Sequence, residues 1–283
     1  MDQNKIKQII SPLVKQFLPV KEVPAARKTK DIAEHWDLLM PPQDIRLRVG
    51  PFQEAADYRN VAEGAFQLLR EVCELNINDD VLDIGCGCGQ MAVPMIKYLN
   101  HKATYEGLDI DSVSIDWCDE HIAPRHSNFH FHTADIFSTH YNTAGKGKAV
   151  DYKFPYKDAS FDVVFAKSVL THLLPAEIEN YISETARVLR PGGRCWLTFF
   201  LLNKESTELI DAGKSTLPMT VIRDRHRIIN PEIPEAAVAI EETMVEKFFE
   251  KNKLKMKKPF MYGSWCGRSE GLGYQDGIVA TKE

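Results

Sequence analysis

The chain has 283 residues, 44% hydrophobic and 27% charged, which is enough to bury a sizeable core and unlike a disordered chain. A formal net charge of −5 argues against a protein that grips nucleic acid mainly by neutralising phosphates. The longest apolar run, "CWLTFFLL", falls far short of the roughly 18 apolar residues of a membrane span.

The first 20 residues alternate polar and apolar and lack the unbroken apolar core of a signal peptide. Six cysteines at irregular spacing read as reduced thiols, so the expected location is cytoplasmic. Residues 1–60 read as a helical cap or lid. Ile6, Ile9, Ile10, Leu13, Val14 and Phe17 recur at helical spacing, and "DIAEHWDLLMPP" is a short helix stopped by Pro41 and Pro42. A second amphipathic helix is expected from about Phe52 to Leu75.

Residues 61–283 read as the core. From Asp80 the strands "VLDI", "ATYEGLD", "NFHFHTAD", "FDVVFA" and "RCWLTFFLL" alternate with helices. The last of these helices opens at Pro175 and is expected to end at Pro191-Gly192-Gly193. This alternation predicts an α/β fold with a parallel sheet covered on both faces. A polar, substrate-facing insertion is expected at about 203–240, followed by a helix carrying Met244, Val245, Phe248 and Phe249. "KMKKPFMYG" and "GIVATK" then predict an antiparallel hairpin.

The chemistry centres on "VLDIGCGCGQ", where Gly85, Gly87 and Gly89 lie between a strand and a helix. Such a turn lets backbone approach a ligand closely. Asp109 ends the next strand 20 positions after Gly89, the spacing of an acidic residue that holds ribose hydroxyls. The glycine pattern is G-x-G-x-G, not the dinucleotide G-x-G-x-x-G. Asp83, two residues before the first glycine, would repel a pyrophosphate and suit an ammonium or sulfonium. S-adenosylmethionine (SAM) carries both cations.

"VLDIGCGCGQ", "YEGLDID", "TADIF", "FPYKDASFDVVFAKSVLTHL" and "RVLRPGGRCWLTFF" resemble, in order and spacing, the sequence blocks of class I SAM-dependent methyltransferases. The terminal "YGSWCGRSEGLGYQD" and "LRVGPF" look like features of a bacterial small-molecule or glycan-type subgroup. The resemblance implies a three-layer Rossmann-like sheet of seven strands, order 3-2-1-4-5-7-6 with strand 7 antiparallel. It implies that Asp83, Gly85, Cys86, Gly87 and Gly89 form the loop around the methionine part of SAM. Asp109 would hold the ribose, with Ile110 flanking the adenine, Asp135 accepting from its amino group and Ile136 packing on its ring. Lys167 and Ser168 would line the methionyl end.

SAM brings its own leaving group, so the protein mainly aligns the acceptor and takes its proton. His172, in "SVLTHL" just past the fourth strand, is the candidate base; the competing reading is a histidine that packs or caps the next helix. Candidate acceptor contacts are His35, Trp36, Tyr262, Trp265 and Arg268. His130 and His132 share a strand face but lack a third ligand at convincing spacing, so no metal is expected. The expected function is methyl transfer from SAM to a small-molecule acceptor, with oxygen as the expected atom and no nucleic-acid partner. The alternatives are a SAM-binding regulatory or scaffold protein without turnover, and a nucleic-acid methyltransferase.

Overall fold

Five runs between Val81 and Phe199 lie side by side in one sheet; the central ones, Val81–Ile84 and Phe161–Ala166, are covered on both faces, while the edge run Phe129–Thr133 buries only Phe129 and Phe131. The structure, a computed structural model, describes residues 35–139 and 141–283. The helix expected over residues 6–17 lies outside them. After helical residues 35–39 and one turn at Gln43–Arg46, helix α1 spans Ala55–Val72. Then come β1 (Val81–Ile84), α2 (Ala92–Ile96), β2 (Tyr105–Asp109), α3 (Ser112–His121) and β3 (Phe129–Thr133). β4 (Phe161–Ala166), α4 (Pro175–Val188) and β5 (Leu189–Phe199) follow. A second group comprises β6 (Leu201–Leu202), α5 (Lys204–Asp211), β7 (Val221–Arg223), β8 (His226–Ile228) and β9 (Val238–Glu241). The chain closes with α6 (Glu242–Lys251), β10 (Leu254–Met256) and β11 (Asp276–Lys282).

The main sheet has seven strands in the order β10-β11-β5-β4-β1-β2-β3, with β11 antiparallel to both β5 and β10. This is the expected α/β, Rossmann-like order, with β11 as the antiparallel seventh strand. Side chains alternate between two cores. Val81, Tyr105, Phe129, Val163 and Phe165 pack on the α1 side, and Leu82, Ile84, Leu108, Val164 and Ala166 pack on the α4 side.

One local expectation is corrected. Pro191-Gly192-Gly193 does not end α4 but lies inside β5, which already pairs with Phe161 at Leu189. The register next pairs Val163 with Arg194, so the extra residues bulge out, and Gly192 takes the φ of 77° that the bulge requires. The segment from 203, read as a polar insertion, folds into α5 and most of a second, four-stranded sheet ordered β6-β9-β8-β7. Its strands "VIR" and "HRI" are too short and charged to announce themselves by alternation.

That second unit is tied to the main sheet by Asp276, which is fully buried. Asp276 accepts hydrogen bonds from the Leu201 and Gly263 amides (2.7 and 2.8 Å), from Trp265 Nε1 (2.6 Å) and from Arg268 Nη1 (3.1 Å). Removing the carboxylate strands the Leu201, Gly263 and Trp265 donors and takes one acceptor from the buried Arg268, which keeps its bonds to the Gly263 carbonyl (3.0 Å) and to Glu205 (2.8 Å). Asp276→Ala should therefore cost about 3 kcal/mol or more of unfolding free energy in a denaturant titration. A loss below about 1 kcal/mol would show that the anchor is not Asp276.

Candidate active site

The turn after β1 is shaped by backbone that side chains rarely adopt. Gly85 and Gly87 have φ of 76° and 53°. A Cβ on Gly85 would stand 2.2 Å from Val169, and one on Gly87 would stand 2.4 Å from Val49. These glycines therefore also admit neighbours: the segment after β4 on one side and the 46–53 strap on the other.

The strap is itself held down. Arg46 is buried and donates to the carbonyls of Pro41 (2.6 Å), Phe52 (3.2 Å) and Gln53 (2.8 Å). Arg48 makes a two-pronged bond to Asp111, at 2.7 and 2.5 Å. Burial pushes the Asp111 carboxyl up, but its bonds from Arg48 and Ser114 win and hold it below the usual range.

Asp109, at the end of β2, accepts from the Gly87 amide (2.7 Å) on one oxygen and from the Asp111 amide (2.9 Å) on the other. Each oxygen keeps a lone pair beyond these bonds. Burial raises its pKa against the pull of those amides.

Asp83, inside β1, is 2% exposed and accepts from Tyr105 Oη at 2.6 Å. Burial drives its pKa up to about 7, opposed by the Tyr105 bond and the Lys167 charge. Lys167 donates to Gln90 Oε1 (3.1 Å), and Gln90 Nε2 donates to the Tyr58 carbonyl (3.1 Å). Ser168 sits in the left-handed region at φ 63°, its amide donating to Thr198 Oγ1 (2.8 Å) and its hydroxyl to Gln275 Oε1 (3.1 Å). A non-glycine residue held this way stores strain of about 1–3 kcal/mol, a cost that recurs at functional sites.

The remaining residues singled out from the sequence fall as follows. Ile110 is half-buried, and Ile136 is 2% exposed beside the returning chain at Gly147. Asp135 is exposed and accepts from the Lys146 amide at 3.1 Å. Cys86 and Cys88 are buried thiols with pKa values driven up by burial, Cys88 to about 12. His172 Nδ1 lies 2.9 Å from the Glu235 carbonyl and Nε2 lies 3.4 Å from Tyr141 Oη.

The five candidate acceptor contacts have protein partners. Trp36 is buried, donates from Nε1 to Glu63 (2.6 Å) and meets Tyr58 edge-on. His35 packs on the His126 ring, 5.8 Å between centroids. Trp265 and Arg268 belong to the Asp276 anchor, and Arg268 also covers the Tyr262 ring, whose hydroxyl donates to Glu242 (3.0 Å). His132 bonds Glu106 at 2.7 Å, and no metal-ligating cluster occurs among the described residues.

Tyr105, Gln90, Arg48, Asp111 and Glu235 were not anticipated. Tyr105, Gln90, Arg48 and Asp111 stand within quoted motifs. Tyr105 reaches Asp83 across two strands and Glu235 reaches His172 across 63 residues, separations that leave no local signal.

A family described as "Methyltransferase domain" matches residues 81–193. The 27-O-demethylrifamycin SV methyltransferase of Amycolatopsis mediterranei is 35% identical over 130 residues, covering 45% of this chain and 41% of that protein. A fatty-acid O-methyltransferase of Mycolicibacterium smegmatis is 36% identical over 117 residues, covering 40% of this chain and 34% of that one. The chain thus spans less than half the length of these two relatives. The 1,6-didemethyltoxoflavin N1-methyltransferase of Burkholderia thailandensis, solved with S-adenosylhomocysteine and its substrate, shares the fold. It covers 93% of both chains at a TM-score of 0.53 and 14% identity.

SAM is the cofactor of this family, and the donor set fits it. Asp109 has lone pairs for a ribose diol, and Asp83 is a buried carboxyl group beside the loop whose ionised form suits an ammonium. A pyrophosphate there would instead meet two carboxylates. Only ionised Asp83 attracts an ammonium, so affinity for S-adenosylhomocysteine should fall as pH drops through about 7. Calorimetry between pH 6 and 8 checks this, and Asp83→Asn should flatten the slope. A wild-type slope that persists in Asp83→Asn would assign the titration to another group.

The sheet order and the acid-flanked glycine turn agree with the comparisons: residues 81–193 match the methyltransferase-domain family and resemble the class I SAM-dependent methyltransferases.

Proposed function

We propose that the protein transfers a methyl group from SAM to a hydroxyl oxygen of a small-molecule acceptor, with His172 as general base. The observation that carries this reading is the setting of His172 just beyond β4. A carbonyl only accepts, so the bond to Glu235 puts the proton on Nδ1 and leaves Nε2 as the accepting nitrogen. That is the form required to take a proton from an acceptor hydroxyl. The Tyr141 ring stands edge-on to the imidazole at 5.3 Å and restricts its rotation.

The cofactor supplies an activated methyl group and a neutral leaving group. The chain's part is to hold the acceptor oxygen in line and to exclude water. Residues 203–240 serve as the acceptor-side wall, supported by Glu235, whose carbonyl meets His172 and whose carboxylate accepts from Thr139 (2.8 Å). Phe137 and Tyr141, on the loop facing that wall, expose apolar surface suited to an organic acceptor. The described part of residues 1–60 acts as a cap through Arg48 and Val49. Oxygen as the target is supported by the names of the two relatives. The net charge of −5 supports a small molecule over nucleic acid. All six cysteines are free, and no helix among the described residues is long and apolar enough to cross a membrane; both fit a cytoplasmic protein.

Transfer of labelled methyl from SAM into fractionated small-molecule extracts tests the activity. His172→Ala should lower turnover by about 10²–10⁴-fold while affinity for S-adenosylhomocysteine stays within about twofold. Unchanged turnover would remove His172 from the mechanism.

A further inference from the structure

Ser168 and Gln275 form a polar pair that neither the sheet nor the glycine turn requires. Ser168 stands two residues beyond β4 and Gln275 one residue before β11. Because β11 runs antiparallel to β5, pairing Asp276 with Phe199, its start lies at the carboxyl edge of the parallel strands. That is the edge where open α/β sheets bind ligands. The sheet order puts β11 three strands from β1, about 14 Å from the glycine turn at the usual strand spacing. Gln275 therefore belongs to the half of the cleft opposite that turn. The turn carrying His172 rests against β5, which lies between β4 and β11. His172 and the pair thus flank the same strand end.

Neighbouring residues turn opposite ways here. Lys167 donates to Gln90 beside the glycine turn, whereas the Ser168 hydroxyl donates to Gln275 Oε1 at 3.1 Å. Ser168 is held at φ 63° by its amide's bond to Thr198 Oγ1, whose hydroxyl donates on to the Ala166 carbonyl. Glycine or asparagine would adopt that backbone at less cost, so the hydroxyl is what the position gains from serine. With Oε1 taken by Ser168, the Gln275 amide nitrogen faces the other way. Both residues are half-buried, and Nε2 has no protein partner among the described residues and is not sealed from solvent. The Ser168 oxygen keeps two lone pairs after giving its proton. The pair therefore presents a donor and an acceptor side by side. A carboxylate or a carbonyl would use only the donor, whereas two hydroxyls on adjacent carbons use both. A staple between the terminal loop and β4 would need only the amide's oxygen.

We propose that Gln275, oriented by Ser168, is a specificity-determining contact for the acceptor, its amide nitrogen donating to an oxygen next to the one that is methylated. The acceptor class is then a compound with hydroxyls on adjacent carbons, a polyol or sugar-like ring, whose C–H face suits the apolar surface of Phe137 and Tyr141. The proposal rests on the oxygen-transfer reading above. Neither Ser168 nor Gln275 takes the acceptor proton, which remains the part of His172.

Labelled methyl transfer from SAM into small-molecule extracts, with and without prior periodate treatment, tests the acceptor class. Periodate cleaves the carbon–carbon bond between adjacent hydroxyls, so treated extract should lose most of its acceptor capacity. Two variants test the residue, read against dilutions of the active fraction. Gln275→Met removes both amide ends, whereas Gln275→Glu keeps an oxygen for Ser168 and loses the donor. Each should raise the acceptor concentration for half-maximal rate about three- to tenfold, the worth of one hydrogen bond. Calorimetry should show their affinity for S-adenosylhomocysteine within about twofold of wild type. Should the Met variant fail to fold, the Glu variant carries the same comparison. Undiminished labelling after periodate, wild-type behaviour of Gln275→Glu, or an equal loss of S-adenosylhomocysteine affinity overturns the proposal. No labelled product from untreated extract with the wild type, or a methyl found on nitrogen, overturns the oxygen-transfer reading on which it rests.

Discussion

The structure depends on carboxylates buried at the carboxyl ends of parallel strands. Asp83 and Asp109 lie on neighbouring strands beside one glycine turn, and both are pushed by burial toward the protonated form. A fold tolerates such groups only where backbone amides, hydroxyls or cations meet them. The Gly87 and Asp111 amides, the Tyr105 hydroxyl and the Lys167 charge are those partners, and they fix the shape of the turn. Two carboxylates beside one turn suit a cationic group better than a phosphate.

From that floor two layers extend. On the α1 side, the strap carrying Arg48 and Val49 leans on the turn and clamps Asp111, so glycine turn and strap share one set of contacts. On the opposite edge, Asp276 gathers the start of β6, the loop after residue 263 and Arg268, fastening the second sheet to the first. Since Glu235 belongs to the chain around that second sheet, the anchor bears indirectly on how His172 is oriented. Trp265 and Arg268 thus help hold the second sheet against the first through Asp276.

The central strands Val81–Ile84 and Phe161–Ala166 were legible because each is a short, largely apolar run bounded by turn residues, whereas the order of all seven strands came from the resemblance of the motif blocks to a known family. The acid positions were legible for the same reason: a carboxylate inside such a run, or at its end, has no structural excuse. The second sheet was not legible. Its strands are two to four residues long and gain their burial from one another and from Phe200, Trp265 and Tyr274. The bulge at Gly192 was read as a stop because Pro-Gly-Gly breaks helices and strands alike, and only the register to β4 tells which.

The sequence by itself therefore determined the fold class, the glycine turn with its flanking acids and the kind of cofactor such a turn accepts, since these are set by local pattern and by charge at fixed spacing. Tertiary structure alone decided the partners: Tyr105 on Asp83, Gln90 on Lys167, Arg48 on Asp111 and Glu235 on His172. These pairs join elements 22 to 77 residues apart, and which donor reaches which acceptor is settled only when the strands are packed in register.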